Sequence, residues 1–122
     1  MESIINTVSF DYDGCLDSSP VIRELAMMYK SFGKKVYILT NRTPHSYRNH
    51  DLYALAQKLG INESNILFAW DTEKYLIISE KKIDVHYDND THEIHKINMN
   101  CGPQAGVLIH YQYTSNDIHD DY

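Results

Sequence analysis

The sequence predicts an α/β fold of three layers: a central parallel sheet of five strands, flanked by helices on both faces. Three observations predict it. Short apolar runs alternate with helical patterns along the chain, and each run is apolar at successive positions, as in a strand covered on both sides. Single helices separate consecutive strands, which implies right-handed parallel crossovers. At 122 residues the chain is expected to be one domain over residues 1–113, with a polar, mobile tail over 114–122. A chain of this size buries about two-thirds of its unfolded surface, so it needs no disulfide or metal to fold. A metal here would serve chemistry instead.

The first strand runs from Ile4 to Phe10. A helix follows over Pro20 to Phe32, with Ser19 as N-cap, Pro20 in the first turn, Ile22, Leu25, Ala26 and Tyr29 at helical spacing, and Gly33 closing it. Val36 to Leu39 is the second strand. The second helix, about Ser46 to Leu59, carries Leu52, Leu55, Ala56 and Leu59 on one stripe and stops at Gly60. Ile66 to Phe68 is the third strand, and Asp71 is expected to cap a helix from Thr72 to Lys82. Ile83 to Tyr87, Thr91 to Met99 and Val107 to Ile109 supply the fourth strand, the fourth helix and the fifth strand.

Charge and composition narrow the function. A net charge of −6, with 11 Lys and Arg scattered among 17 Asp and Glu, argues against a sequence-independent nucleic-acid binder. Cys15 and Cys101 fit neither a zinc knuckle nor a secreted disulfide framework, so a reducing cytoplasm is the expected compartment. No apolar run reaches the roughly 18 residues of a membrane span, and Met1-Glu2-Ser3 lacks the basic start of a signal peptide.

Ligands of open α/β sheets bind at the carboxyl ends of the strands. The residues placed there are Asp11-Tyr12-Asp13-Gly14 after the first strand, Thr40-Asn41-Arg42 after the second and Asp88-Asn89-Asp90 after the fourth. Positions i and i+2 of an extended chain point the same way, so Asp11 and Asp13 are expected side by side, with Gly14 allowing a sharp turn. Asp also favours ordinary turns, but the acidic groups here directly follow buried strands. Carboxylates converging from two strands repel unless a cation sits between them, and oxygen-only donors suit magnesium.

The run Val8-Ser9-Phe10-Asp11-Tyr12-Asp13-Gly14-Cys15-Leu16 resembles the first signature of the haloacid dehalogenase superfamily, an apolar strand followed by Asp-x-Asp-Gly-Thr/Val-Leu. Val36 to Thr40 resembles its second motif, Lys74 its third, and Ile83 to Asn89 its fourth, so the likeness spans about residues 4 to 110. It implies a Rossmann-like core and a magnesium-dependent phosphatase. Asp11 would be the nucleophile that forms an aspartyl-phosphate, and Asp13 the general acid and base whose backbone carbonyl also binds the metal. Thr40, Lys74 and the backbone amides that follow Thr40 would stabilise the transferring phosphoryl group. Lys81 and Lys82 lie at a helix C-terminus, where the helix dipole already explains cations. Lys74 sits in a first turn, where a cation is mildly unfavourable; a phosphate site nearby would explain it, the alternative being a solvated surface lysine.

The sequence departs from the family pattern at two places. Cys15 stands where Thr or Val is usual and is expected to pack beneath the loop. The fourth motif reads Asp88-Asn89-Asp90, similar to the Asp-Asn pair of the carboxy-terminal-domain type of protein phosphatases. Asp88 and Asn89 are therefore the expected metal ligands, with Asp90 in reserve or serving only as a helix cap. Arg42 either contacts the substrate or forms a surface ion pair, Asn41 lies beside it, and Tyr12 is expected to flank the substrate. His45, His50, His92 and His95 are expected at the surface.

Neither gap in which relatives carry a cap domain has room for one here, which implies an open site. Such a site suits a macromolecular substrate, a phosphoprotein ahead of a nucleic-acid end given the acidic charge. Two rivals are a receiver domain and a catalytically weak domain that binds a phosphorylated partner. The receiver fails on order, because it would place its acceptor Asp after the third strand, where Ala69-Trp70 stands. The sequence leaves the oligomeric state open.

Overall fold

A computed structural model of the chain describes residues 4–110, so the tail expected at 114–122 lies outside the described residues. Five strands, β1 (Thr7–Phe10), β2 (Lys35–Thr40), β3 (Ile66–Phe68), β4 (Val85–Asp88) and β5 (Gly106–Leu108), form one sheet in the order β3-β2-β1-β4-β5. Every pairing is parallel. The α/β class, the strand count and the flanking helices are as the sequence predicts.

Strand alternation divides the core into two. Val8, Phe10, Val36 and Ile38 face one side and pack with Ile22 and Ala26 of α1 (Pro20–Ser31) and Leu52 and Ala56 of α2 (His50–Leu59). Tyr37 and Leu39 face the other and pack with Ile78 of α3 (Lys74–Glu80) and Ile97 of α4 (Thr91–Cys101). The chain winds outward from β1 to β3 with α1 and α2 on one face, then crosses back to β4 and continues with α3 and α4 on the other. The strand order thus reverses between β1 and β4, where a doubly wound sheet opens a crevice at its carboxyl end. Phe10 and Tyr87 stack across this pair with centroids 4.8 Å apart, and truncating so buried a ring typically costs about 3–5 kcal/mol.

Local chemistry sets the helix ends. Ser19 Oγ accepts the Ile22 N–H at 3.2 Å, and Pro20 opens α1 as expected. The second helix starts later than the apolar stripe implies. Ser46 instead caps a short 3₁₀ turn, Tyr47–Asn49, that runs into α2, and Gly60 ends α2 in the left-handed region with φ +74°.

The third helix is also shorter than expected. It begins at Lys74, with Glu73 rather than Asp71 at the N-cap position, and makes no side-chain cap because the Glu73 carboxylate pairs with Lys96 at 2.8 Å. The first strand begins at Thr7, not Ile4. After Phe10 the chain enters a turn that alternation does not foresee, Tyr12–Leu16, closed by i→i+5 bonds from Leu16 N–H to Asp11 O and from Asp17 N–H to Tyr12 O.

Between Leu16 and Lys35 there is only α1, and between Thr40 and Lys74 only α2, β3 and two 3₁₀ turns. Among the described residues no helix is long and apolar enough to cross a membrane.

Candidate active site

The carboxyl ends of β1 and β4 put Asp11 and Asp88 on either side of one lysine. Lys74 Nζ donates to Asp11 Oδ1 at 2.9 Å and to Asp88 Oδ2 at 2.8 Å. Lys74 opens α3, whose apolar face packs on the sheet, so its side chain runs inward and is 2 % exposed. A cation is not buried at this depth without anionic partners. Two carboxylates around one ammonium leave the cluster one negative charge in excess when both are ionised.

The two carboxylates respond in opposite directions. Burial pushes Asp11 up from 3.8 to about 7, with Lys74 pulling the other way and the charge of Asp88 adding to the rise. Burial acts on Asp88 in the same sense, but His86 and Lys74 outweigh it and hold that carboxyl well below the ordinary carboxylate range. Burial alone would depress Lys74, yet Asp11 and Asp88 together raise it. At neutral pH the ion pair is therefore centred on Lys74 and Asp88, with Asp11 poised to gain or lose a proton.

These groups open onto a cavity of about 250 Å³ lined by Asp11, Asp13, Asn41, Lys74, Asp88, Asn89, Asp90 and Glu93. Five carboxylates face one lysine there, a field that attracts a cation and repels a bare phosphate. Every side-chain donor except Lys74 is an oxygen or an amide, the set that suits a hard cation. With the Lys74 ammonium between Asp11 and Asp88, no three His, Cys, Asp or Glu side chains converge as a ready metal cage among the described residues. A cation here would complete its shell with the Asn89 amide oxygen, backbone carbonyls and water. Asn89 leans over Gly14: a Cβ on Gly14 would run into Asn89 Nδ2, and Gly14 has φ +77°. Only glycine lets the loop after β1 pass this closely beneath the fourth motif.

The remaining expected residues divide. Asp13 is not aligned with Asp11 by strand alternation, because the extended strand has ended at Phe10. It lines the cavity but is half-exposed, and Arg42 holds both its oxygens, with Nη2 to Oδ1 at 2.7 Å and Nε to Oδ2 at 3.0 Å. The same guanidinium bonds Asp51 at 2.7 Å and 3.1 Å and lies over the Tyr12 ring, 4.8 Å from its centroid. These bonds raise Arg42 further above its ordinary value and draw Asp51 down to about 2. Tyr12, expected to flank the substrate, is instead buried beneath Arg42, with its hydroxyl donating to Asp51 at 3.2 Å. Arg42 is an intramolecular clamp here, not a free cation.

Thr40 is fully buried at the end of β2, where its Oγ1 accepts the Arg42 N–H at 3.2 Å, and it is not among the residues lining the cavity. Asn41 lines the cavity and is exposed. Asp90 caps α4, its Oδ1 accepting the N–H groups of His92 and Glu93 at 2.9 Å and 3.2 Å, and also reaches the cavity wall. Cys15 packs beneath the loop with Sγ 3.9 Å from Tyr87 O, and burial pushes its thiol up. His45, His50, His92 and His95 are exposed.

Four residues escaped the sequence reading: Ser9, Asp51, His86 and Glu93. Ser9 and His86 had a legible signal. Each stands two positions before an acidic residue at a strand end, and each interrupts an otherwise apolar strand. Asp51 and Glu93 lie in ordinary helical first turns, where an acidic residue needs no further reason.

No protein-family model matches the chain, and no curated protein matches it either.

Proposed function

We propose that this chain is a magnesium-dependent phosphomonoester hydrolase of the haloacid dehalogenase type, lacking a cap domain and acting through an aspartyl-phosphate on Asp11. One observation carries the reading. Lys74 stands within 2.9 Å of Asp11 and 2.8 Å of Asp88 at the carboxyl ends of two adjacent strands, although it lies 63 and 14 positions from them in sequence. Burying a lysine and two carboxylates together is costly in a small domain, and their position at the point where the strand order reverses is where such folds hold ligands.

In this reading an Asp11 carboxylate oxygen attacks phosphorus, the bond to the leaving oxygen breaks, and a proton from Asp13 neutralises that oxygen. Asp13 then takes a proton from water as the water attacks the phosphoryl group, which releases phosphate and restores Asp11. Lys74 fixes the Asp11 carboxylate by one oxygen and leaves the other free to attack. Asp11, Asp88, Asn89 and the Asp13 carbonyl would hold magnesium, which supplies positive charge against the developing negative charge on phosphorus and favours ionised Asp11. Arg42 must release Asp13 before that carboxyl can carry a proton to the leaving group.

The open cavity and the acidic surface favour a phosphoprotein substrate. The free thiols of Cys15 and Cys101 accord with a reducing cytoplasm. The grip of Arg42 on Asp13 supports a second reading, in which the domain binds a phosphorylated partner without turnover.

Release of phosphate from para-nitrophenyl phosphate separates the two. The hydrolase reading expects release that requires magnesium and falls by at least three orders of magnitude in Asp11→Asn, in the range seen when a covalent nucleophile is removed. Release unchanged in Asp11→Asn, or absent from the wild type, contradicts that reading for aryl phosphates.

A further inference from the structure

His86 is the largest polar group of the buried sheet for which the proposed reaction has no use, and it joins Ser9 to the acidic cluster. Ser9 on β1 and His86 on β4 are direct partners in the strand register. Both are fully buried, on the face covered by α3 and α4. Ser9 Oγ lies 2.7 Å from His86 Nδ1, and His86 Nε2 lies 2.9 Å from Asp88 Oδ2. A serine, a histidine and an aspartate in this order can form a hydrolytic triad, but here the serine has no access to solvent, so it cannot meet a substrate.

The hydrogen bonds leave one economical arrangement. An ionised Asp88 only accepts, so Nε2 carries the hydrogen and donates to Oδ2. The Ser9 hydroxyl meets Nδ1 on the other side of the ring at 2.7 Å. Oδ2 also receives the Lys74 ammonium at 2.8 Å. With His86 and Lys74 both on Oδ2, that oxygen is saturated. Asp88 Oδ1, which receives only the Asp90 N–H at 3.1 Å, is the oxygen left for a cation.

We propose that His86 is a positioning residue for cation binding: its ring, anchored by Ser9, holds Asp88 by one oxygen and presents the other to a divalent cation in the cavity. The inference rests on the reading of Asp88 as a metal ligand made above, but not on turnover. Outer partners that orient a metal ligand typically change metal affinity by about 10–100-fold when removed.

The test uses the whole chain and magnesium alone, titrated by calorimetry, together with the ¹⁵N signature of the imidazole. His86→Gln keeps an amide N–H at the position of Nε2, and His86→Leu keeps only bulk. The wild type is expected to show a hydrogen on Nε2, the nitrogen that faces Asp88. His86→Gln is expected to bind magnesium within a few-fold of wild type, and His86→Leu on the order of 10-fold or more weaker. A ring without a hydrogen on Nε2 overturns the proposal, as does a Leu variant that binds as well as the Gln variant. Should His86→Leu fail to fold, the ring signature and the Gln affinity still decide. Failure of the phosphatase reading appears separately, as absent phosphate release with the magnesium ranking intact.

Discussion

Lys74 is the residue on which the cluster depends, because its ammonium is the one positive group among the carboxylates lining the cavity. Replacing it with Met keeps most of the length of the side chain and leaves Asp11 and Asp88 facing each other without their shared cation. Removing one side of a buried ion pair costs about 3–5 kcal/mol, so urea unfolding of Lys74→Met is expected to show a loss of that order. A loss below about 1 kcal/mol would mean that the cluster is wetter or looser than its distances imply.

Asp11 adds a pH dependence of known sign. Its folded pKa of about 7 lies above the ordinary 3.8, so its contribution to stability is fully present below the ordinary value and is lost as the pH rises through about 7. Asp11→Asn removes that dependence. In magnesium-free buffer the variant is expected to gain on the wild type between pH 4 and pH 7, by up to about 1.4 kcal/mol for each pH unit crossed. Thermal unfolding at the two pH values reads the difference, and a gap that does not grow with pH contradicts the account.

Among the elements, the turn from Tyr12 to Leu16 links fold to site. It ends the extended strand immediately after Phe10 and brings Gly14 under Asn89, which couples the first and fourth motifs through a contact in which a Cβ would push the Asn89 amide aside. Gly14→Ala is expected to cost about 1–2 kcal/mol for the left-handed backbone alone and to displace Asn89 as well. Magnesium affinity should therefore fall by more than the stability loss explains, and unchanged affinity would remove Asn89 from the set of ligands.

The elements also show what sequence could and could not reveal. Strands and helices were legible because their apolar spacing is a period that packing must obey. Asp11, Lys74 and Asp88 were legible because they sit at strand ends or in a helix's first turn, where charge needs a reason. Arg42 was placed near the site, but its clamp on Asp13 and Asp51 was not legible, since it depends on how a coil segment and the first turn of α2 meet. The start of α3 falls later than expected because Asp71 is the better cap by residue type, whereas Glu73 stands at the N-cap position with its carboxylate drawn to Lys96. His86 carries a signal in its place two positions before Asp88, but its link to Ser9 needs the strand register.

For the whole molecule, size and charge act on the choice of substrate. Among the described residues no element folds over the cavity, and the proposed reading expects the substrate itself to close the site. A net charge of −6 repels a polyanion more than a phosphopeptide, and salt screens that repulsion over roughly 10 Å at 0.1 M. The expected order of kcat/KM is a phosphopeptide above a 3′-phosphorylated oligonucleotide, with the gap narrowing as salt rises. The reverse order would move the substrate class to nucleic-acid ends. The central claim, that Asp11 receives the phosphoryl group, is open to direct trapping. Borohydride added during turnover reduces an aspartyl-phosphate to homoserine, which peptide mass spectrometry locates. The account predicts homoserine at position 11, dependent on both magnesium and substrate. Phosphate release with Asp11 left unmodified, or with the mark on another residue, would contradict it.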